Sequence, residues 1–562
     1  MNYQPVNGLR LFAVELALLG SFCALGFFLL PLVCRSFGCV RPRWLDWLLL
    51  ENRRSVLFVI LLALVARALL LPLVQVPEPR INDEYSYLLM ADTFAHGRLT
   101  NPTPLVWQHF ETFHVNMRPT YHSMYPVAQG FVLAVGQILF HQAWIGVYLS
   151  TALMCGAICW ALQAFVPAVW ALAGGVLAVA RIAVFSYWMN SYWGGSVAAL
   201  GGALALGAVM RLFEPNHTGR ERTRLACIFA IALLVLAMSR PYEGLAFSLP
   251  LLGYLGYQMV RGGVSAVQLQ TILLPVVGIG TLGLMMMGFY NHQTTGNALE
   301  MPHLLNHRTY WTVPAFLWQQ GNPNLTLTDP VFAKFMTIVT EDSGYQKTMT
   351  LSALVDLELK RFWLNWFFYV GPALSVPILL GFVLSLTQSR LHIVVYAAIT
   401  TAAAVAMCVF SEIHYFAPAT IVTYVFAAKG LHHIWQQKHR GERAFALAVC
   451  LTVAVASFSK QTGSSAMNIN FAFRNARMLV AQQLAAYPGK HLVLVSYALE
   501  KHYPGDELVH NGAQFDSERI LWARSEGPRS DLTLCQAYPG RTFWSVTTDD
   551  TNVTLSPMEL CK

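Results

Sequence analysis

The sequence predicts a mainly α-helical, polytopic membrane protein that ends in a small α/β domain. Three observations carry that expectation. Of the 562 residues, 55% are hydrophobic and only 12% charged, about half the charge usage of a soluble domain. Apolar runs approaching the roughly 20 residues that a helix needs to cross the hydrocarbon core recur along most of the chain. From about Lys460 the composition changes to short β-like runs separated by Gly and Pro turns. The formal charge of +8 requires no nucleic-acid partner, because Lys and Arg gather in cytoplasmic loops and near anionic head groups.

The first apolar run, Leu11 to Val33, exceeds a signal-peptide core and lacks a small-residue cleavage site, so it reads as a retained helix. With the basic loop holding Arg35, Arg41, Arg43, Arg53 and Arg54 it makes up residues 1–54. Further apolar segments fall near residues 55–75, 125–140, 143–163, 165–186, 194–213, 225–240, 243–260, 271–290, 363–388, 391–410, 415–433 and 443–459. Two more basic loops, one with Arg211, Arg220, Arg222 and Arg224 and one with Lys438, Arg440 and Arg443, also mark the cytoplasmic side.

Parity then removes one span. Two loops on the same side are separated by an even number of crossings, yet five apolar segments divide residue 54 from residue 211. The weakest is "YPVAQGFVLAVGQILF" at 125–140, short for a span and interrupted by a Pro and two Gly. It reads as a juxtamembrane or re-entrant helix, which turns residues 76–142 into one large outer loop. "SYWMNSYWGG" (Ser186 to Gly195), "SRPYEG" (Ser239 to Gly244), Asn291 to Arg361, "SEIHYFAP" (Ser411 to Pro418) and the C-terminal segment emerge on the same face. The expectation is about twelve spans within residues 1–459, the N-terminus outside although Arg10 argues the other way, and a transmembrane catalytic domain over 55–459.

Residues 460–562 complete the chain as an α/β domain on the outer face. A helical pattern, "NINFAFRNARMLVAQQLAAY", precedes the β-like runs "HLVLVSY", "RILWARS" and "TFWSVTTDD". Most of the ten cysteines sit in or beside apolar runs as packing residues. Cys535 and Cys561 lie in the polar C-terminal segment, where an oxidising exterior would permit a disulfide. The sequons at Asn216, Asn324 and Asn552 are patterns of high chance occurrence.

The chemistry concentrates at "RINDEYSYLLMADTFAHGRL" (Arg80 to Leu99). Asn82 can cap a helix opening on Asp83 and Glu84, and first-turn carboxylates are favoured by the helix dipole by up to about 1 kcal/mol. Such acids are common at helix starts. Here they follow directly on a membrane span, and the helix carrying Tyr87, Leu88, Ala91, Phe94 and Ala95 looks suited to the bilayer surface.

An apolar helix, then Asp-Glu, then "LLMADTFAHGRL", then a Tyr-Pro helix resembles the first outer loop of GT-C glycosyltransferases, the superfamily of protein O-mannosyltransferases and lipid A aminoarabinose transferases. "FYNHQTTGNALEMPH" (Phe289 to His303) and "HYFAPA" (His414 to Ala419) resemble later outer loops of that group, so the likeness covers roughly 55–435. It implies a bacterial inner-membrane enzyme with its active site and C-terminal domain outside the cytoplasm. The donor is then a polyprenyl-phosphate sugar, and the acceptor is a hydroxyl of a glycan, lipid or protein. Asp83 matches the family's leading acid and would serve as general base, with Glu84 orienting the acceptor or a neighbouring group.

A departing lipid phosphate needs positive charge or hydrogen-bond donors, for which Arg240, Arg118, His122 and His414 are the candidates. Arg240 leads, because an Arg where a span meets the outer face is costly unless paired or wet; snorkelling or pairing with Glu243 is its structural alternative. Arg67 and Arg181 lie deeper and each needs a partner. Where aminoarabinose transferases carry Glu-Lys before the Pro of the loop helix, this chain has Met124 and Tyr125. Where several relatives place a second acid, it has Asn190, which the resemblance makes a further candidate for substrate or phosphate contact. The spacing of His109, His114 and His122 matches no zinc pattern; no cofactor is assigned, a divalent cation on Asp83 and Glu84 being the one option the resemblance leaves open.

A transporter or lipid flippase is the rival class, but transporters place binding groups near the midplane of repeated halves. Here the polar clusters lie at the outer ends and no repeat is visible. A noncatalytic assembly protein using its C-terminal domain to bind partners is a third reading.

Overall fold

The computed structural model describes residues 5–37, 43–261, 265–327, 329–343, 345, 350–437, 440–470, 476–498, 507–548 and 553–559. Arg41, Lys438, Asn552 and Cys561, named above, lie outside them.

The protein is mainly helical. α1 (Pro5–Phe37), α2 (Arg43–Leu49) and α3 (Asn52–Leu69) lead to α4 (Asn82–Ala95), and a loop with a short ribbon, β1 (Val115–Asn116) and β2 (His122–Ser123), follows. The bundle continues through α5 (Val127–Phe140), α6 (Trp144–Leu162), α7 (Ala168–Ala178), α8 (Ser196–Val209), α9 (Gly219–Ser239), α10 (Pro241–Arg261) and α11 (Ala266–Thr295). Two short outer helices, α12 (Pro302–Tyr310) and α13 (Pro330–Ser343), precede α14 (Leu351–Tyr369), α15 (Gly371–Leu386), α16 (His392–Ala406), α17 (Thr420–Gln436) and α18 (Arg440–Asn470). α19 (Ala476–Leu484), β3 (His491–Tyr497), β4 (Ile520–Arg524), α20 (Pro528–Ala537), β5 (Thr542–Thr548) and β6 (Val553–Pro557) form the C-terminal unit.

Among the described residues, five helical segments have the length and apolarity to cross a membrane: Trp144–Leu162, Gly219–Ser239, Ala266–Thr295, Ser389–Ala406 and Gly441–Phe458. The pair α14 and α15 makes a sixth if counted as one span, bent by 97° at Val370 and Gly371. That measure does not reach the expected twelve, because several apolar runs fold as shorter helices. α5 has 14 residues, about 21 Å at 1.5 Å per residue against a core of about 30 Å. α8, placed where a full span was expected, also has 14 residues.

Side-chain burial places the helices within the bundle. α6 and α8 are buried almost all round, Met154, Cys155, Ile158, Ala199, Ala203 and Leu206 having no exposure, whereas α11 turns Leu274, Leu284 and Met285 outward, as a lipid-facing helix would. Deep arginines are partnered. Arg181 reaches Glu15 of α1 at 3.2 Å and the carbonyls of Phe367 and Phe368. Arg67 donates to Asn190 Oδ1 at 2.9 Å and to the carbonyls of Val74 and Gln75.

In the C-terminal unit the strand order is β4-β3-β5-β6, with β3 parallel to β4 and β5 and β6 antiparallel. The runs "HLVLVSY", "RILWARS" and "TFWSVTTDD" fall on β3, β4 and β5. β3 is buried on both faces at Leu492, Val493, Leu494 and Val495, which gives it the continuous apolar reading of a central parallel strand. Cys535 is disulfide-bonded.

α4 corrects one expectation. It does not lie open on a bilayer surface: Tyr87 and Ala91 pack with Leu133 and Ala134 of α5, while Leu89 packs with Leu492, Leu521 and Phe543 of the C-terminal sheet. The helix is sandwiched between the membrane bundle and the C-terminal unit.

Candidate active site

α3 ends at Leu69, a connection carries the chain along its outer end, and α4 begins at Asn82. Ile81, not Asn82, is the N-cap residue. The Asn82 side chain instead accepts a hydrogen bond from His510 Nε2 of the C-terminal unit, at 3.2 Å. Asp83 and Glu84 both fall in the first turn, where the helix dipole favours negative charge. Successive helical residues point about 100° apart, and the two carboxylates part company.

Asp83 faces the outer loop. Its Oδ1 accepts from the Tyr125 hydroxyl and lies 3.5 Å from His114 Nδ1. With the Tyr125 hydrogen committed to Asp83, His114 Nδ1 carries its own and donates to the Tyr125 oxygen at 2.5 Å. The Tyr125 ring is fixed by stacking on Tyr87 at 4.4 Å. Burial raises the Asp83 pKa, but the charge and hydrogen bond of His114 and the hydrogen bond of Tyr125 outweigh it and hold the carboxyl down at about 2. Asp83 is therefore ionised at any working pH.

His114 is the residue that sequence reasoning passed over, having been weighed only as a metal ligand. Its backbone is left-handed, φ 62°, a conformation uncommon for residues with a side chain. Its carbonyl anchors it by accepting from Ser86 Oγ at 2.6 Å and Met124 N at 3.0 Å. Its Nε2 is buried without a hydrogen-bond partner, an open donor or acceptor beside Asp83.

Glu84 is turned inward and only 3% exposed. Its Oε2 accepts from the backbone N–H of Arg80 at 2.8 Å and Ile81 at 3.4 Å, and its Oε1 from that of Tyr192 at 2.9 Å. It thus closes the start of its own helix and ties in the loop between α7 and α8. The two carboxylates turn to different partners; no group of three or more His, Cys, Asp or Glu suited to a metal occurs among the described residues.

Positive charge and imidazole approach from two later loops. Arg240, between α9 and α10, lies with its guanidinium 4.5 Å over the Tyr415 ring and within the fields of Glu243, Tyr87 and Tyr125. His414 stands in a 3-10 turn, Ile413–Ala419, buried, with Nδ1 3.1 Å from the Tyr187 hydroxyl and its ring 4.7 Å from that of Trp193. Burial and the Arg240 charge press its pKa well below the ordinary value against the opposing pull of Asp83, so it is neutral. Asp83, Tyr125, His114, Arg240 and His414 thus form one polar, aromatic-lined region drawn from three loops.

Three expected contacts fall elsewhere. His122 is 2% exposed. Its Nδ1 donates to the Thr120 carbonyl and its Nε2 accepts from Asn116 Nδ2, and burial lowers its pKa to about 4. It braces the β-ribbon and has no nitrogen left for a phosphate. Asn190 spends its oxygen on Arg67 and its amide on the carbonyls of Val184 and Ser186; it is the partner that Arg67 required. Arg118 is exposed, 5.8 Å over the Trp107 ring, and borders a separate hollow.

The C-terminal unit packs beside this region. His510 accepts from Thr112 Oγ1 at 3.3 Å as well as holding Asn82, and it stacks on Tyr85 at 4.1 Å. Arg524 pairs with Glu507 and with Asp329 of the loop before α13, each at 2.5 Å.

No protein-family model and no curated protein matches the sequence. Among solved structures, ArnT from Cupriavidus metallidurans bound to undecaprenyl phosphate is 13% identical with a TM-score of 0.49, over 88% of this chain and 93% of that one. The Archaeoglobus fulgidus oligosaccharyltransferase complexed with Zn and sulfate is 13% identical with a TM-score of 0.48, over 86% of this chain and 67% of that one. AglB from the same archaeon, with an inhibitory peptide and a dolichol-phosphate, is 12% identical with a TM-score of 0.47, over 88% and 69%.

Proposed function

We propose that this protein is a membrane glycosyltransferase of GT-C type that moves a sugar from a polyprenyl-phosphate donor to an acceptor hydroxyl on the outer face of a bacterial inner membrane. The observation that carries the reading is an ionised Asp83, held by Tyr125 and His114 at the mouth of the helix bundle, with Arg240 and His414 in the same region. An outer-face enzyme has no nucleotide sugar at hand, and a lipid phosphate supplies the leaving group in its place.

In this mechanism the acceptor oxygen attacks the anomeric carbon while the bond from that carbon to the phosphate oxygen breaks, its electron pair leaving with the lipid phosphate. The hydroxyl proton passes to Asp83. Tyr125 and His114 both engage Oδ1 of that carboxylate, and the acceptor hydroxyl approaches Oδ2. Arg240 supplies the fixed charge that receives the phosphate, worth more in a low-dielectric setting than in water. Glu84 acts through Tyr192 as a positioning residue.

The test is sugar transfer by Asp83→Asn in reconstituted membranes, with folding checked by thermal unfolding. Loss of a general base lowers the rate by about 10² to 10⁴. A well-folded Asp83→Asn protein with native turnover would remove the base from the mechanism.

A further inference from the structure

A hollow of about 480 Å³ opens beside the β-ribbon, lined among others by Trp107, Glu111, Asn116, Arg118, Thr309 and Tyr310. Its size falls within the range of about 300–1,000 Å³ found for small-ligand sites. We propose that it is a saccharide subsite that holds a neutral oligosaccharide portion of the acceptor. The inference rests on the glycosyltransferase reading above and extends it by naming what the acceptor is made of and where it sits.

The lining has the two-sided chemistry of a sugar ring, which presents apolar C–H faces and a rim of hydroxyls. Trp107 offers a half-buried indole face, and the Arg118 guanidinium lies 5.8 Å from the ring centre. Aromatic side chains bring large apolar area at fixed geometry, and a planar guanidinium offers paired donors to adjacent hydroxyls. Glu111 is the matching acceptor: its Oε1 takes the Tyr310 hydroxyl at 2.7 Å, which locks the carboxylate in the wall. Arg118 and Glu111 cancel in formal charge, so the hollow has no excess that would select an anion.

Position assigns the subsite to the acceptor and not to the donor. The donor phosphate belongs with Arg240 and His414, on the loops before α10 and α17. The hollow lies on the other loop, with Asn116 only two residues beyond His114, the neighbour of Asp83. Two extended residues span about 7 Å, the order of one sugar unit. A saccharide chain lodged against Trp107 can therefore present its terminal hydroxyl toward Asp83.

The experiment probes an array of neutral and uronic-acid-containing oligosaccharides with the full-length protein in detergent, then titrates the best neutral binder. The native protein is expected to retain neutral oligosaccharides, with at least a tenfold weaker affinity in Trp107→Ala and a severalfold loss in the exposed variant Arg118→Gln, whose fold is not at risk. Retention of acidic oligosaccharides only, of none, or of neutral ones with unchanged affinity in Arg118→Gln and a folded Trp107→Ala would overturn the subsite. The readout is binding, so it stands apart from turnover: Asp83→Asn is expected to bind the same oligosaccharides, and full turnover in that variant counts against the base alone.

Discussion

Asp83 sits at the end of a hydrogen-bonded relay from His114 through Tyr125, and each link has a measurable effect. Removing the hydroxyl in Tyr125→Phe deletes a bond that favours the charged carboxylate, so the Asp83 pKa rises from about 2 toward the ordinary 3.9. Any acid limb that Asp83 contributes to kcat/KM should move to higher pH in that variant, and a limb that stays in place would separate Tyr125 from the base. Glu84→Ala leaves three backbone N–H groups, those of Arg80, Ile81 and Tyr192, without their acceptor. An unmade buried bond costs about 1–3 kcal/mol, so thermal unfolding should report a loss of several kcal/mol, whereas Asp83→Asn should cost far less.

His122 makes stability depend on pH. Its pKa is about 4 in the folded protein and about 6.5 unfolded. The unfolded chain therefore binds the extra proton first. The contribution is present above about pH 6.5 and declines as pH falls toward 4. His122→Gln should flatten the midpoint-against-pH curve in that window.

At the scale of elements, α15 and α17 cross so closely that each helix uses a glycine against the other's backbone. A Cβ at Gly381 would lie 1.9 Å from the Phe426 carbonyl oxygen, and one at Gly430 1.9 Å from that of Pro377. Small residues at such crossings are how helices associate within lipid, where no hydrophobic force separates helix from tail. Gly381→Val should lower the thermal midpoint in detergent, at the scale of an overpacked core, about 1–3 kcal/mol or more. At the elbow between α14 and α15, Gly371 takes φ 65°, and a Cβ there would meet the Arg181 guanidinium at 2.2 Å. Gly371→Ala would thus disturb the Arg181–Glu15 pair that fastens α1.

Much at this level was legible from pattern. The apolar runs, the shortness of α5 and the strands β3, β4 and β5 follow from periodicity and turn residues. The break in the apolar run at 363–388 did not, because a glycine in a membrane helix signals close packing as often as a bend. Nor could pattern pair Arg67 with Asn190, 123 positions away, or separate Asp83 from Glu84; the acids are alike in type and only the three-dimensional surroundings assign them. His114 and Tyr125 were hidden for the same reason, lying 31 and 42 residues from the carboxylate they serve.

Across the whole molecule, the C-terminal unit is fastened to the outer loops by Arg524, itself held by Glu507, with Asp329, by His510 with Asn82, and by Arg98 and Asp92 with the backbone of Ala513. Arg524→Met would strand two carboxylates, and loss of one partner from a buried ion group costs about 3–5 kcal/mol. Hydrogen exchange should then rise in 107–123 and along β3 while the helices of the bundle stay protected. Unchanged exchange in those segments would mean that the apolar contact of Leu89 with Leu492 and Phe543 alone maintains the docking. The unit's α/β character was readable, but its seat on α4 was not, since surface complementarity leaves no periodic trace.

The bond from His510 to Asn82 couples the order of synthesis to the bracing of the helix start that carries Asp83. A ribosome releases every helix of the bundle before it reaches residue 510, so a stalled chain can enter the bilayer with its acid in place but the preceding side chain unbraced. Only a chain extended past residue 510 carries the brace, and the seat of Asn82 is completed after the helices of the bundle.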